Sequence, residues 1–183
     1  MQSKEMIARL CEGNRRYLNG EGLGDVSGAA RADTADNGQH PHAIVIACSD
    51  SRVIPEVIFS AGIGELFTIR VAGNVLDRHQ LGSIEYAAAH LHCPLIVVLG
   101  HTGCGAVGAA LSGGADGFIR YITDEILLAA GEERDPDRAC RLNVRHAVEV
   151  IRREFKDHPE IPTPGLEVRG AVYDIRSGVV EWL

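Results

Sequence analysis

The sequence is short of several things, and each shortage removes a class of protein. It has no surplus of positive charge: 18 Lys and Arg face 25 Asp and Glu, a formal net charge of −7. A surface that neutralises phosphates should be basic, so nucleic acid is not an expected partner. The acidic balance speaks instead to solubility. No apolar run approaches the ~20 residues that a membrane helix needs. The opening stretch "MQSKEMIARLCEGNRRYL" lacks the basic-then-apolar layout of a secretory signal, so a cytoplasmic protein is expected. The five cysteines (Cys11, Cys48, Cys93, Cys104 and Cys140) are odd in number, which argues against a disulfide framework in a chain of 183 residues. No internal repeat is visible, and no linker separates two cores.

What is present is ordinary globular composition, 45 % hydrophobic and 23 % charged, which fits a single domain over 1–183 with a sizeable core. Residues 1–41 read as an N-terminal arm and 42–183 as the core of the fold. Within the arm, 3–17 has the spacing of an amphipathic helix, with Met6, Ile7, Leu10 and Cys11 on one face. Residues 18–41 carry few large apolar groups and read as a long irregular connection. Beyond it, "HAIVIAC" (42–48), "ELFTIRVAG" (65–73) and "CPLIVVLG" (93–100) are short β-branched runs like strands buried on both faces. Residues 78–92 suit a helix packed on a sheet through Leu81, Ile84, Tyr86, Ala88 and Leu91. Further helices are expected over 104–113, 117–130 and 136–157, the last opened by an Asp135 cap and Pro136. Residues 165–183 alternate and turn at Ser177-Gly178, as a terminal hairpin does. Strands alternating with helices give an α/β fold: a mostly parallel sheet flanked by helices, with a helical arm and an antiparallel edge strand.

The chemistry gathers at strand ends. In open parallel sheets, ligands bind beyond the carboxyl ends of the strands. The first strand ends at Cys48, and the third runs into "GHTGCG" with His101 and Cys104 three apart. One Cys, one His and one Cys can therefore converge in a single crevice. Three such ligands suit Zn²⁺ with one position left for water, whose pKa zinc lowers to ~7. Cys93, at the start of its strand, belongs at the opposite edge. Asp50 and Arg52 follow Cys48 at a spacing of two. A guanidinium fork can hold that carboxylate in a bidentate pair, so that it orients a zinc-bound hydroxide; released, Asp50 becomes a candidate fourth ligand that closes the site. Taken singly, each feature has a plainer reading. Cys48 alone reads as a buried strand thiol, and Asp-x-Arg as a surface ion pair. Cys11, Cys93 and Cys140 read as packed or surface thiols. His79, His90 and His92 read as packing or surface groups, with proton shuttling as the alternative.

"ACSDSRVIPEVIF", "RVAGNVLD", "GSIEYA" and "VVLGHTGCGAV" together resemble the β-class carbonic anhydrases over nearly the whole chain. The resemblance implies reversible hydration of carbon dioxide to bicarbonate and a proton by zinc-bound hydroxide, with one Zn²⁺ per chain. Cys48, His101 and Cys104 would be the ligands and Asp50 and Arg52 the dyad. Gln39, Phe67, Tyr86 and Gly105 would line the substrate pocket. It also implies a homodimer or a dimer-based higher assembly, in which N-terminal helices reach across the partner and the site lies at the interface. Two departures stand out. Val71 replaces a common Asn, and Val45 occupies the place of a Trp that, with the Arg at position 70, builds an allosteric bicarbonate site in one subgroup; such a site is not expected here. Hydrolysis of carbonyl sulfide or carbon disulfide at the same zinc, a zinc that only staples a dimer, and a nucleotide-binding module are the alternatives. "GHTGCGAVG" fits neither the dinucleotide fingerprint nor the P-loop, which disfavours the last.

Overall fold

The computed structural model describes residues 3–113, 115–161 and 165–183. Strands β1 (Ala43–Ala47), β2 (Leu66–Arg70), β3 (Leu95–His101), β4 (Glu167–Tyr173) and β5 (Val180–Trp182) form one sheet in the order β2-β1-β3-β4-β5. The first four run parallel, and β5 pairs antiparallel with β4. This is the α/β architecture expected from the sequence.

Every residue of β1 and of β3 is buried, because apolar side chains alternate between two covered faces. Ile44, Ile46, Ile96 and Val98 pack with Ile84 of α4 (Arg78–His90), Val107 of α5 (Gly105–Leu111), Ile126 of α6 (Ile119–Ala130) and Val144 of α7 (Pro136–Phe155). On the other face Val45, Val97 and Leu99 meet Met6 and Leu10 of α1 (Ser3–Leu18) and Ile58 of α3 (Pro55–Ile58). The Asp135 side chain caps α7 by accepting the Arg138 N–H at 2.9 Å, with Pro136 in the first turn.

Several expectations change. Residues 18–41 are not wholly irregular: Gly28–Asn37 form α2, whose Ser27 hydroxyl accepts the Ala30 N–H at 3.2 Å. No residue of α2 is buried, so it has no apolar stripe for the sequence to betray. The short α3 and a 3-10 turn at Ala72–Asn74 were also unforeseen. Tyr86 meets the sheet only at its edge, through Phe67 of β2, and stays 48 % exposed, while α4 buries Ile84, Ala87 and Ala88. His92 lies just beyond α4, with φ at 53°. The first helix folds onto its own chain: Asn14 Nδ2 donates to Ile58 O at 3.2 Å and Gly178 O at 2.9 Å. Among the described residues, no helix is long and apolar enough to cross a membrane.

The chain passes from β1 to β2 on one side and then crosses to β3 on the other. That reversal opens a crevice beyond the carboxyl ends of β1 and β3, where α/β sheets bind ligands.

Candidate metal centre

Ala47 pairs with Leu99, so β1 and β3 end side by side. Cys48 follows the first, His101 closes the second, and Cys104 immediately precedes α5. One ligand atom from each lies within 4.8 Å of the others, and all three residues are buried. The 3.0 Å contact between His101 Nδ1 and Thr102 O fixes the ring. A carbonyl only accepts, so Nδ1 donates there and Nε2 is the nitrogen left for another partner. That Nε2 is buried and has no hydrogen-bond partner, an expense that a bound group would relieve.

The two thiols influence each other's ionisation in opposite directions. Hydrogen bonding with the Cys104 thiol holds the Cys48 thiol well below its usual value, against the opposing effect of burial. Hydrogen bonding with Cys48, and then burial, push Cys104 up. The Gly73 N–H also donates to Cys48 Sγ, at 3.3 Å. Two sulfurs and an imidazole nitrogen with no other partner form a donor set that fits a divalent metal.

On the rim, Arg52 grips Asp50 with both arms of its fork, Nε to Oδ1 at 2.9 Å and a terminal nitrogen to Oδ2 at 2.8 Å. The same Oδ1 accepts the Arg52 backbone N–H at 2.9 Å. These bonds hold the Asp50 carboxyl well below the usual range, the side-chain bond from Arg52 being the main cause. Asp50 Oδ2 lies 4.0 Å from His101 Nε2, so the carboxylate borders the trio. Arg70, which the sequence offered only as part of another site, braces this turn by donating to Asp50 O at 2.7 Å and Cys48 O at 3.2 Å. Gly105 adjoins Cys104 with nothing within 4 Å of where a Cβ would stand.

The remaining sequence candidates lie elsewhere in the chain. Phe67 pairs with Ile44, four strand positions before Cys48, a separation of about 13 Å along the strand. Tyr86 stays with Phe67, ring centroids 6.2 Å apart. Gln39 lies beside Gly64, near the start of β2. All three sit toward the end of the sheet opposite the trio. Val71 keeps its strand partners, donating to Ala47 O at 3.1 Å and accepting from Ser49 N–H at 3.2 Å. Cys140 is the packed thiol expected, its Sγ donating to His101 O at 3.3 Å, while Gly73 and Asn143, whose Nδ2 donates to Gly73 O at 2.8 Å, were not singled out from the sequence. The available signal was a buried-stripe Asn in the amphipathic helix over 136–157.

A family model described as carbonic anhydrase matches residues 43–180. The chain belongs to the carbonic anhydrase family. A carbonic anhydrase of Mycolicibacterium smegmatis is 39 % identical over 149 residues, covering 78 % of this chain and 72 % of the relative. Carbonic anhydrase 2 of Mycobacterium tuberculosis is 35 % identical over 180 residues, covering 92 % and 87 %. The fold matches a β-carbonic anhydrase of Aspergillus fumigatus with TM-score 0.70 and 27 % identity, covering 85 % of each chain. It also matches one of two tetrameric β-carbonic anhydrases of Sordaria macrospora with TM-score 0.64 and 31 % identity, over 85 % of this chain and 91 % of that one. The family is therefore of the β class, and the activity is that of a carbonic anhydrase.

Proposed function

We propose that the chain hydrates carbon dioxide reversibly to bicarbonate and a proton, with one Zn²⁺ held by Cys48, His101 and Cys104. The observation that carries this is the convergence of one ligand atom each from the buried Cys48, His101 and Cys104 within 4.8 Å, with His101 Nε2 left without a hydrogen-bond partner. Zinc bound there supplies Lewis acidity, which brings the ionisation of a water close to neutral pH.

The protein's own groups do the rest. Asp50 borders the trio as a permanent acceptor, because Arg52 keeps it ionised. An acceptor at that place takes a hydrogen bond from the attacking water and fixes which lone pair faces carbon dioxide. The same bidentate grip keeps Asp50 from swinging in as a fourth ligand. Gly105 leaves room beside Cys104 for a linear substrate.

Gln39, Phe67 and Tyr86 line the pocket in this reading only if a second copy brings them over the trio, since within one chain they lie toward the opposite end of the sheet. We therefore place the site at a homodimer interface or in a dimer-based larger assembly; the Sordaria relatives are described as tetrameric. The chain acts as one domain, with the arm over 1–41 attached to the core over 42–183. Its five free cysteines suit a reducing compartment, the cytoplasm.

Stopped-flow carbon dioxide hydration near pH 8.5, normalised to measured zinc, tests the proposal. Turnover that scales with zinc and is lost in Asp50→Ala supports it. A full zinc complement without hydration refutes it.

A further inference from the structure

Two buried polar side chains of α7 reach the trio from behind. Asn143 is 3 % exposed, and its Nδ2 donates to Gly73 O at 2.8 Å. Gly73 in turn gives its N–H to Cys48 Sγ at 3.3 Å. One helical turn earlier, Cys140 Sγ donates to His101 O at 3.3 Å. Residues three apart share a helix face, so a single face of α7 touches the end of β3 at His101 and the Gly73 turn that follows β2 and meets Cys48.

Gly73 is an unusual place for such a grip. Its φ is 67°, a conformation that glycine adopts freely and other residues do not. An added Cβ would meet Ile126 Cδ1 at 2.8 Å and Ala106 Cβ at 3.2 Å. The turn thus brings bare backbone up to the sulfur, with no side chain of its own to hold it. Asn143 supplies the hold. An apolar residue would fill the same space on the stripe, and the amide is worth burying only because Gly73 O receives it.

We infer that Asn143 is a positioning residue for the metal centre: it fixes the Gly73 turn so that the Gly73 N–H stays on Cys48 Sγ. A donor on a thiolate draws electron density from it and makes the metal it binds more Lewis-acidic. Asn143 therefore sets how strongly Cys48 donates, without touching metal or substrate. The inference rests on the reading of Cys48 as a ligand.

Cobalt substitution of the full chain tests it. The thiolate-to-cobalt charge-transfer band reports sulfur electron density directly. In Asn143→Leu and Asn143→Ala the band should move to lower energy as the donor leaves the sulfur, and zinc affinity by chelator competition should fall roughly tenfold because the turn no longer holds Cys48 in place. Ile151→Val, a change at a fully buried position of the same helix, should leave both unchanged. Asn143 variants that lose stability but keep the wild-type band and zinc affinity would overturn the inference. A wild-type cobalt protein with no thiolate band would remove the ligand reading and the inference with it. Where a variant does not fold, NMR of the wild-type protein decides. Metal loading should shift the Asn143 side-chain amide together with the Gly73 amide, and an Asn143 signal indifferent to metal contradicts the proposal.

Discussion

Cys48, His101 and Cys104 are at most 8 % exposed, whereas the Arg52 side chain, four residues from Cys48, is 56 % exposed. Backbone and buried groups hold the trio: Thr102 O takes His101, the Gly73 N–H rests on Cys48, and Cys140 reaches the His101 carbonyl. The rim pair's side chains hold each other, with Arg70 bracing the Asp50 carbonyl at 2.7 Å and a longer 3.4 Å contact from Arg52 to Gly103 O. The trio is therefore inseparable from the core, while the pair can be altered without disturbing the fold. Substitutions at each should separate metal binding from chemistry.

The largest effect should come from His101→Ala. It removes the imidazole of the proposed ligand set and leaves only two sulfurs, so zinc content should fall well below one per chain and hydration by about 10³-fold or more. Retained stoichiometric zinc would count against the ligand set. Asp50→Asn should be the contrasting case. Zinc content should hold while turnover drops about 10²–10⁴-fold, and a loss of zinc would mean that the rim pair belongs to the metal-binding core after all.

Arg52→Ala sharpens the comparison through pH. Arg52 lowers the Asp50 carboxyl in the folded protein. The ionised form is thus favoured by folding, and its contribution is present above the ordinary carboxylate pKa and lost as pH falls toward the lowered value. Without Arg52 the carboxyl should titrate at higher pH, seen as an upward shift of its ¹³C resonance midpoint, with the melting temperature little changed. An unmoved midpoint would assign the low pKa to something other than Arg52. The smallest effect is expected at Thr102→Val. Thr102 Oγ1 accepts the Ile175 N–H at 3.1 Å, and losing that acceptor should cost about 1 kcal/mol in chemical denaturation, with activity close to wild type. A tenfold fall in zinc affinity there would show that the Thr102 side chain also steadies the His101 ring.

The same contrast explains what could be read from sequence. β1 and β3 are apolar runs closed by ligand residue types, so Cys48, His101 and Cys104 announced themselves at strand ends. Asp50 and Arg52 are two apart, and their pairing is local. Asn143 and Gly73 are 70 positions apart; a polar Asn on the apolar stripe of α7 is a local sign that it needs a partner, but nothing nearby says which. Cys140 was read as an ordinary packed thiol because its partner, the His101 carbonyl, is a backbone atom. Tyr86 looked like core because an aromatic on a helix counts as apolar, yet it faces outward with Phe67 and His90. α2 was hidden for the opposite reason: its capping signal was present but it buries nothing.

Zinc K-edge X-ray absorption on the holoenzyme near pH 8 tests the central claim most directly. Two sulfurs, one imidazole nitrogen and one exchangeable light atom are expected, unchanged in Asp50→Asn. A first shell without sulfur, or a light-atom ligand that disappears with Asp50, would contradict a trio that binds the metal and a rim pair that stays off it.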